Sequence, residues 1–247
     1  MNFLLLQRAE LDGAGRATLR GRRARHLQEV LRAEVGQRLR VGVIDGEIGE
    51  ARIDAMTPTE AVVQVSLSRR AAPVDDVLLL AVPRPKVLLR MLSHAAAMGF
   101  AEVILFRSWR VDKSWLSSRA MRPDVQREQL LLGLEQAGRT AVPQVTCFDR
   151  FKPMVEDDLP ALDLPTQRFV AHPAARNRTR ALGAWRGPFA LAVGPDGGFL
   201  PYEVDLLGAA GFHAVSMGAH ALRTESALAA LWGQLDLLRS RSGEGDA

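Results

Sequence analysis

The chain has 247 residues, enough for a sizeable core in one or two domains, and its 47% hydrophobic and 24% charged content is ordinary for a soluble globular protein. Its single cysteine, Cys147, excludes an internal disulfide and any multi-cysteine zinc site; no apolar run approaches the roughly 20 residues that cross a bilayer, so a cytoplasmic protein is expected. Net charge is only +4, yet of 32 lysines and arginines only Lys86, Lys113 and Lys152 are lysine, a ratio that a GC-rich genome also produces, so where the arginines sit matters more than their number.

The opening, MNFLLLQRAELDG, has no basic region ahead of its apolar run and no small-residue cleavage site, and reads as a first β-strand rather than a signal peptide. Next comes RATLRGRRARHLQEVLR, residues 16–32, with six arginines and His26 against one acid, Glu29. As a helix, residues 22–31 place Ala24, Leu27 and Leu31 on one face and most of the cations off it. Guanidinium forks match phosphate geometry and stack on bases, which makes Arg20, Arg22, Arg23, Arg25, His26 and Arg32 candidate RNA contacts; the plainer alternative is a solvated helix face. QRLRVGVIDGEIGEARIDAMTPTEAVVQVSLSRR then reads as three short strands, with a hairpin turn at Asp45-Gly46 and a break at Thr57-Pro58. RRAAPVDD reads as a linker, so residues 1–71 form a small, mostly β domain and residues 72–247 a second one.

Beyond the linker, strands and helices alternate. VLLLAVP, EVILFRS, PQVTCF, RFVAHP, FALAVGP and HAVSMG are strands; KVLLRMLSHAAAMG is a helix closed by Gly99, and PDVQREQLLLGLEQAG is a helix with Pro123 near its start. Continuous apolar strands between amphipathic helices imply an α/β fold with a parallel sheet covered on both faces. Cys147, in an apolar strand, reads as a buried small hydrophobe. Trp109 and Trp115 flank RVDKS and suit either base stacking or core packing. The tail RSRSGEGDA reads as disordered. The five histidines, His26, His94, His172, His213 and His220, show no metal-ligand spacing, and no metal is expected.

Three strand ends expose backbone. In LAVGPDGGFLPYEV, residues 191–204, a buried strand breaks into a loop with three glycines, and a helix starts with Pro201 and Glu203. That loop matches neither the Gly-x-Gly-x-x-Gly nor the Gly-Lys-Ser/Thr phosphate cradle, and Asp196 repels phosphate; taken alone, Gly197-Gly198 suits a tight turn. HAVSMGAHALRTESALAALWGQLDLL gives a second strand-to-helix loop, with Thr224 at the N-cap and Leu228, Leu231, Trp232, Leu235 and Leu238 as an apolar stripe. His172-Pro173 ends a third run. Three such loops at the carboxyl edge of a parallel sheet can form one pocket, whose main-chain groups can hydrogen-bond an uncharged heterocycle such as adenine, although spacing alone does not set its chemistry. Arg223 and Thr224 supply polar anchors, Val193, Met217 and Leu222 apolar walls, and Gly194 a point of close backbone approach.

Four segments resemble one known family. VGPDGGFLPYEV resembles the Gly-Pro-Glu-Gly-Gly-Phe segment of the RsmE family of SPOUT methyltransferases, which methylate N3 of a uridine in 16S ribosomal RNA. MGAHALRTESA resembles its Leu-Gly-x-Arg-Ile-Leu-Arg-Thr-Glu-Thr-Ala motif, GLEQAGRTAVPQV its Glu-Gln-x-x-Arg-x-x-x-Pro region, and RRARHLQEVLRAEVGQRLRV its His-Leu-x-x-Val-Leu-Arg segment, all in the family's order. The resemblance implies an N-terminal PUA-like β-barrel that helps hold RNA and a SPOUT-type parallel sheet with a deep trefoil knot. It also implies S-adenosyl-L-methionine bound bent in the knot, and a homodimer through the SPOUT domain acting on the small ribosomal subunit. Carried over by position, His172, Pro173, Val193, Gly194, Gly198, Met217, Gly218, Ala221, Leu222, Arg223 and Ala227 would contact the cofactor. Arg139 would meet RNA phosphate or form a structural ion pair. The chain departs from the family at Asp196 (usually Glu), His220 and Ser226 (usually Arg and Thr), and His94 and Ala97 (often Lys and Glu).

Methylation at uridine N3 needs the base unpaired, the methyl in line and the N3 proton removed. Arg223 is the candidate to stabilise the uridine anion, by the logic of an oxyanion hole; Glu225 either accepts the proton or compensates the charge of a helix N-terminus. Two other readings stand beside this one: a noncatalytic RNA-binding protein that kept the fold, and a SPOUT methyltransferase acting on another RNA such as transfer RNA.

Overall fold

A computed structural model describes residues 3–70, 75–218 and 220–241. They fall into two compact units: the chain up to residue 73 with Leu130–Val142, and residues 74–129 with the chain from 143 onward.

The first unit contains β1 (Phe3–Leu6), β2 (Arg16–Arg20), the short helix α1 (Arg22–Arg25), β3 (Arg38–Val43), β4 (Glu47–Met56) and β5 (Glu60–Arg70). Its sheet runs β1-β3-β4-β5-β2, with β1 parallel to β3 and the other pairs antiparallel. All five strands feed one apolar core, including Leu6, Leu19, Val41, Ile53 and Val63, so the sheet curls into a half-barrel with β1 and β2 as its edges. Register shifts at Ile48/Gly49 and Ile53/Ala55 of β4 help it bend. At Gly49 a Cβ would stand 1.9 Å from the Ser66 carbonyl oxygen, so only glycine fits this crossing. β2 alternates, burying Ala17 and Leu19 and exposing Arg16, Thr18 and Arg20; the start of the basic cluster is therefore a strand. α1 continues into a π-helical turn, His26–Val30, and together they bury Ala24 and Leu27. The Asp45-Gly46 turn forms as expected, closed by Gly46 N–H to the Val43 carbonyl at 2.8 Å. It also anchors the end of the 130–142 segment: Asp45 Oδ1 accepts from Val142 N–H at 2.8 Å, and Thr140 Oγ1 donates to the Gly46 carbonyl at 2.9 Å.

The second unit comprises β6 (Val77–Ala81), α2 (Pro85–Met98), β7 (Glu102–Phe106), α3 (Lys113–Leu116), α4 (Pro123–Ala137, counted with the first unit beyond Gln129), β8 (Gln144–Phe148), α5 (Phe151–Pro153), β9 (Gln167–Ala171), β10 (Phe189–Val193), α6 (Pro201–Ala209), β11 (His213–Val215) and α7 (Thr224–Arg241). Its six strands are all parallel, in the order β11-β9-β10-β6-β7-β8. β6 and β10 are central and buried at every position, which is why both read as unbroken apolar runs. Pro85 opens α2, and Gly99 closes it at φ +92°, the left-handed conformation that glycine tolerates. On α7, Leu228, Leu231 and Leu235 are buried. No helix among the described residues is long and apolar enough to cross a membrane.

Two expectations fail here. Cys147 is exposed, because β8 is the edge strand of the sheet and one of its faces is uncovered. The tail does not fray at Arg239, which belongs to α7 and donates to both carboxylate oxygens of Asp76, at 2.7 and 2.9 Å. Asp76 is fully buried just before β6 and also accepts from Phe189 N–H at 3.0 Å. Burial pushes its carboxyl above the ordinary range, against the pull of Phe189 and Arg239. Residues 242–247 of the tail and 71–74 of the linker lie outside the described residues.

Candidate functional site

Strands β11, β9 and β10 are neighbours, and their carboxyl ends open into three loops around one cavity of ≈ 200 Å³. The β9 loop contributes His172 and Pro173; the β10 loop contributes Val193, Gly194, Asp196, Gly197 and Gly198; the β11 loop contributes Met217, Gly218, His220, Ala221 and Leu222. Thr224, Ala227 and Leu231 of α7 complete the lining. The expected cofactor residues thus gather in one place, with Arg223 as the exception. Adjacent loops are tied by backbone bonds, His172 N–H to the Val215 carbonyl and Thr179 N–H to that of Ser216, both 3.0 Å. A site at the carboxyl edge of a parallel sheet is where α/β folds bind ligands, because the loops there leave main-chain groups free to pair.

The β10 loop is fastened at several points. Gly198, at φ +71°, closes a tight turn through its N–H to the Pro195 carbonyl at 2.7 Å. Asp196 Oδ1 accepts from the Thr224 hydroxyl at 3.2 Å, and Oδ2 lies 3.4 Å from Arg84 Nε. The Gly197 carbonyl accepts from Arg110 Nη1. Phe199 is buried, its ring stacked on Phe106 at 6.2 Å and 4° and packed beside Phe151. Glu203 holds the far end: fully buried, its Oε2 accepts from Leu200 N–H at 2.8 Å and its Oε1 from Trp109 N–H at 2.9 Å. Glu203 was expected only as helix-start charge; its spacing three residues after Leu200 was the legible half of this role.

Several site expectations change. Gly194 lines the cavity, and a Cβ there would also meet the Phe199 ring at 3.1 Å and the Phe199 nitrogen at 3.2 Å, so the loop's own packing needs this glycine as well. At Gly218 a Cβ would meet nothing within 4 Å, which makes it the open backbone edge of the cavity. Thr224 is the first helical residue, not the N-cap; its hydroxyl turns to Asp196, and the first helical bond runs from Ala227 N–H to the Arg223 carbonyl. Arg223 is exposed and lines an adjoining groove with Arg84, Val87, Arg90, Leu222 and Glu225. Glu225 accepts from Arg90 Nη2 through both oxygens, at 3.1 and 2.9 Å, a structural partner that the sequence did not suggest.

The arginines of the first unit are less free than their run suggested. Arg20 pairs with Glu60 at 3.1 Å and Arg22 with Glu135 at 2.8 Å. Arg23 is half-buried against Glu10 and donates to the Leu5 carbonyl at 3.1 Å, so its guanidinium is structural; its hydrogen bond holds the Glu10 carboxyl below the ordinary range. Arg25 and Arg32 are exposed, while His26 and Arg139 are half-buried. The neutralising acids come from distant segments, which a linear count of charge cannot see. Trp109 is 76% exposed and Trp115 half-buried. Among the described residues no group of three or more His, Cys, Asp or Glu is placed to hold a metal ion.

Residues 70–236 match the family model of the RNA methyltransferase domain, and residues 19–66 that of the RNA methyltransferase PUA domain. The Ribosomal RNA small subunit methyltransferase E of Treponema pallidum is 30% identical over 237 residues, covering 93% of this chain and 88% of its own. The fold is also that of a Ribosomal RNA small subunit methyltransferase E from Neisseria gonorrhoeae solved bound to S-adenosyl methionine (TM-score 0.71, 20% identity, 98% of this chain and 97% of that one). It is shared by a Legionella pneumophila protein solved with the cofactor SAM (TM-score 0.71, 22% identity, 97% of each chain). Matched by the domain model over most of its length, and by a curated relative over nearly all of it, the chain belongs to the RNA methyltransferase family of the RsmE type.

Proposed function

We propose that this protein transfers a methyl group from S-adenosyl-L-methionine to N3 of a uridine in 16S ribosomal RNA of the small subunit. The observation that carries this reading is the cavity formed by three adjacent strand-end loops, with an arginine-lined groove opening beside it. The residues present fit the cofactor: main-chain groups and the apolar walls Val193, Met217 and Leu222 suit an adenine ring, while Asp196 disfavours a phosphorylated ligand. When bound there, the cofactor supplies an electrophilic methyl. The chain must then place a uracil in the groove and favour loss of its N3 proton to solvent water, which frees the N3 lone pair to take the methyl. Arg223, exposed at the junction of groove and cavity, stabilises the resulting anion at O2 or O4. Glu225, held by Arg90, acts here as a positioning residue for the groove and not as the proton acceptor. The cytoplasmic location, the trefoil knot and the homodimer through the second unit belong to the same proposal.

The test is methyl transfer from labelled S-adenosylmethionine to unmodified small ribosomal subunits and to bulk transfer RNA, with the product nucleoside identified by mass spectrometry. N3-methyluridine in 16S RNA is expected. A product in transfer RNA would reassign the substrate. Absence of transfer to either, with S-adenosylhomocysteine still raising the melting temperature, would leave a binding protein.

A further inference from the structure

The loop after β7 is a tight turn, with Val111 N–H bonded to the Ser108 carbonyl at 3.1 Å and both of those residues buried. Its two central residues point in different chemical directions. Arg110 reaches the Gly197 carbonyl in the cavity wall. Trp109 fixes its backbone N–H on the buried Glu203 carboxylate and leaves its side chain 76% exposed. An indole so exposed on so firmly held a backbone forgoes the burial an aromatic side chain ordinarily gains. Around it in sequence, Arg107, Arg110, Lys113 and Arg119 stand against one acid, Asp112, while Arg122 is paired with Asp124 at 2.8 Å. Tyr202, the chain neighbour of Glu203, is also exposed at 46%.

We propose that Trp109 is a stacking platform for an unpaired RNA base flanking the target, with the cations of residues 107–119 meeting the neighbouring phosphates. This rests on the RNA-methyltransferase reading and adds to it the strand's path. Single-stranded RNA is held by this combination, a π-face for the base and positive charge for the backbone. Within residues 107–122 Trp109 is the only large hydrophobic that is exposed, with Val111 buried and Trp115 and Leu116 half-buried; a protein partner would need a contiguous apolar patch. The link through Arg110 and Gly197 ties the platform to the loop that walls the cavity, so a base stacked there fixes the strand relative to the methyl donor.

The experiment compares wild type, Trp109→Ala and Trp109→Phe in three readouts: KM and kcat for unmodified small subunits, affinity for single-stranded oligouridylate, and oligomeric state by light scattering. Trp109→Ala should raise KM and weaken oligouridylate binding by about 5- to 150-fold, the loss of one stacked base. It should leave the S-adenosylhomocysteine thermal shift unchanged, and Trp109→Phe should recover most of the loss. Unchanged KM and oligouridylate affinity in Trp109→Ala would overturn the proposal. So would a change of oligomeric state, which would place the indole between copies of the chain. If the wild type methylates neither RNA, the proposed function fails, and the oligouridylate comparison still decides this inference separately.

Discussion

Between residues 194 and 200 the chain is held almost everywhere: Asp196 by Thr224 and Arg84, Gly197 by Arg110, Phe199 by two aromatic rings, Leu200 by Glu203. Across the same cavity, the described residues of 217–223 make one hydrogen bond to the rest of the protein, from Ala227 N–H to the Arg223 carbonyl. One wall is fastened by the protein's own hydrogen bonds, and the described residues of the other carry few. A preformed wall lowers the entropy lost on binding, and an open edge lets cofactor and nucleotide enter.

The comparison breaks most sharply at Glu203. Glu203→Ala strips the buried acceptor from two part-buried N–H groups, at up to about 1–3 kcal/mol each, and should appear as a lower urea midpoint together with weaker cofactor binding. A midpoint equal to wild type would mean the wall stands without its carboxylate. Valine scanning then separates the two loops. Gly218→Val adds a side chain at a cavity-lining position with open space around it and should weaken S-adenosylhomocysteine binding by about 5- to 150-fold, the equivalent of 1–3 kcal/mol of overpacking, with the unliganded melting temperature unchanged. Gly194→Val must push Phe199 and should lower the melting temperature itself; the reverse pattern would exchange the roles assigned to the two glycines. Asp196→Ala removes the Thr224 acceptor and should cost about 1 kcal/mol in thermal unfolding, mostly recovered by Asp196→Asn. Smallest of all, Arg90→Met should change stability by less than about 1 kcal/mol, because its bond to Glu225 is largely at the surface. Any larger effect on KM for RNA than on stability would locate the groove in substrate binding.

Much of the second unit was legible because β6 and β10 sit in the middle of a parallel sheet and announce themselves as continuous apolar runs. The same habit misled at Cys147, since an apolar segment does not say whether its strand lies at the centre or the edge. In the first unit, β2 is hidden by its own arginines: Ala17 and Leu19 alternate with Arg16, Thr18 and Arg20, a period of two masked by the run of cations. The residues gathered at the cavity were legible through motif order, whereas their fastenings were not. Asp196 to Thr224, Glu225 to Arg90 and Asp76 to Arg239 join positions 28, 135 and 163 residues apart, distances over which no local pattern operates.

The last of those pairs sets an order of events. Asp76 stands at the foot of a central strand made early in synthesis, and its guanidinium partner is carried by the final helix. Until α7 emerges, a growing chain holds an uncovered carboxylate under the sheet, and the cavity lacks Thr224, Ala227 and Leu231. Closing so long a span comes late on entropic grounds. A chain short of α7 therefore lacks both part of the cavity lining and the partner of Asp76.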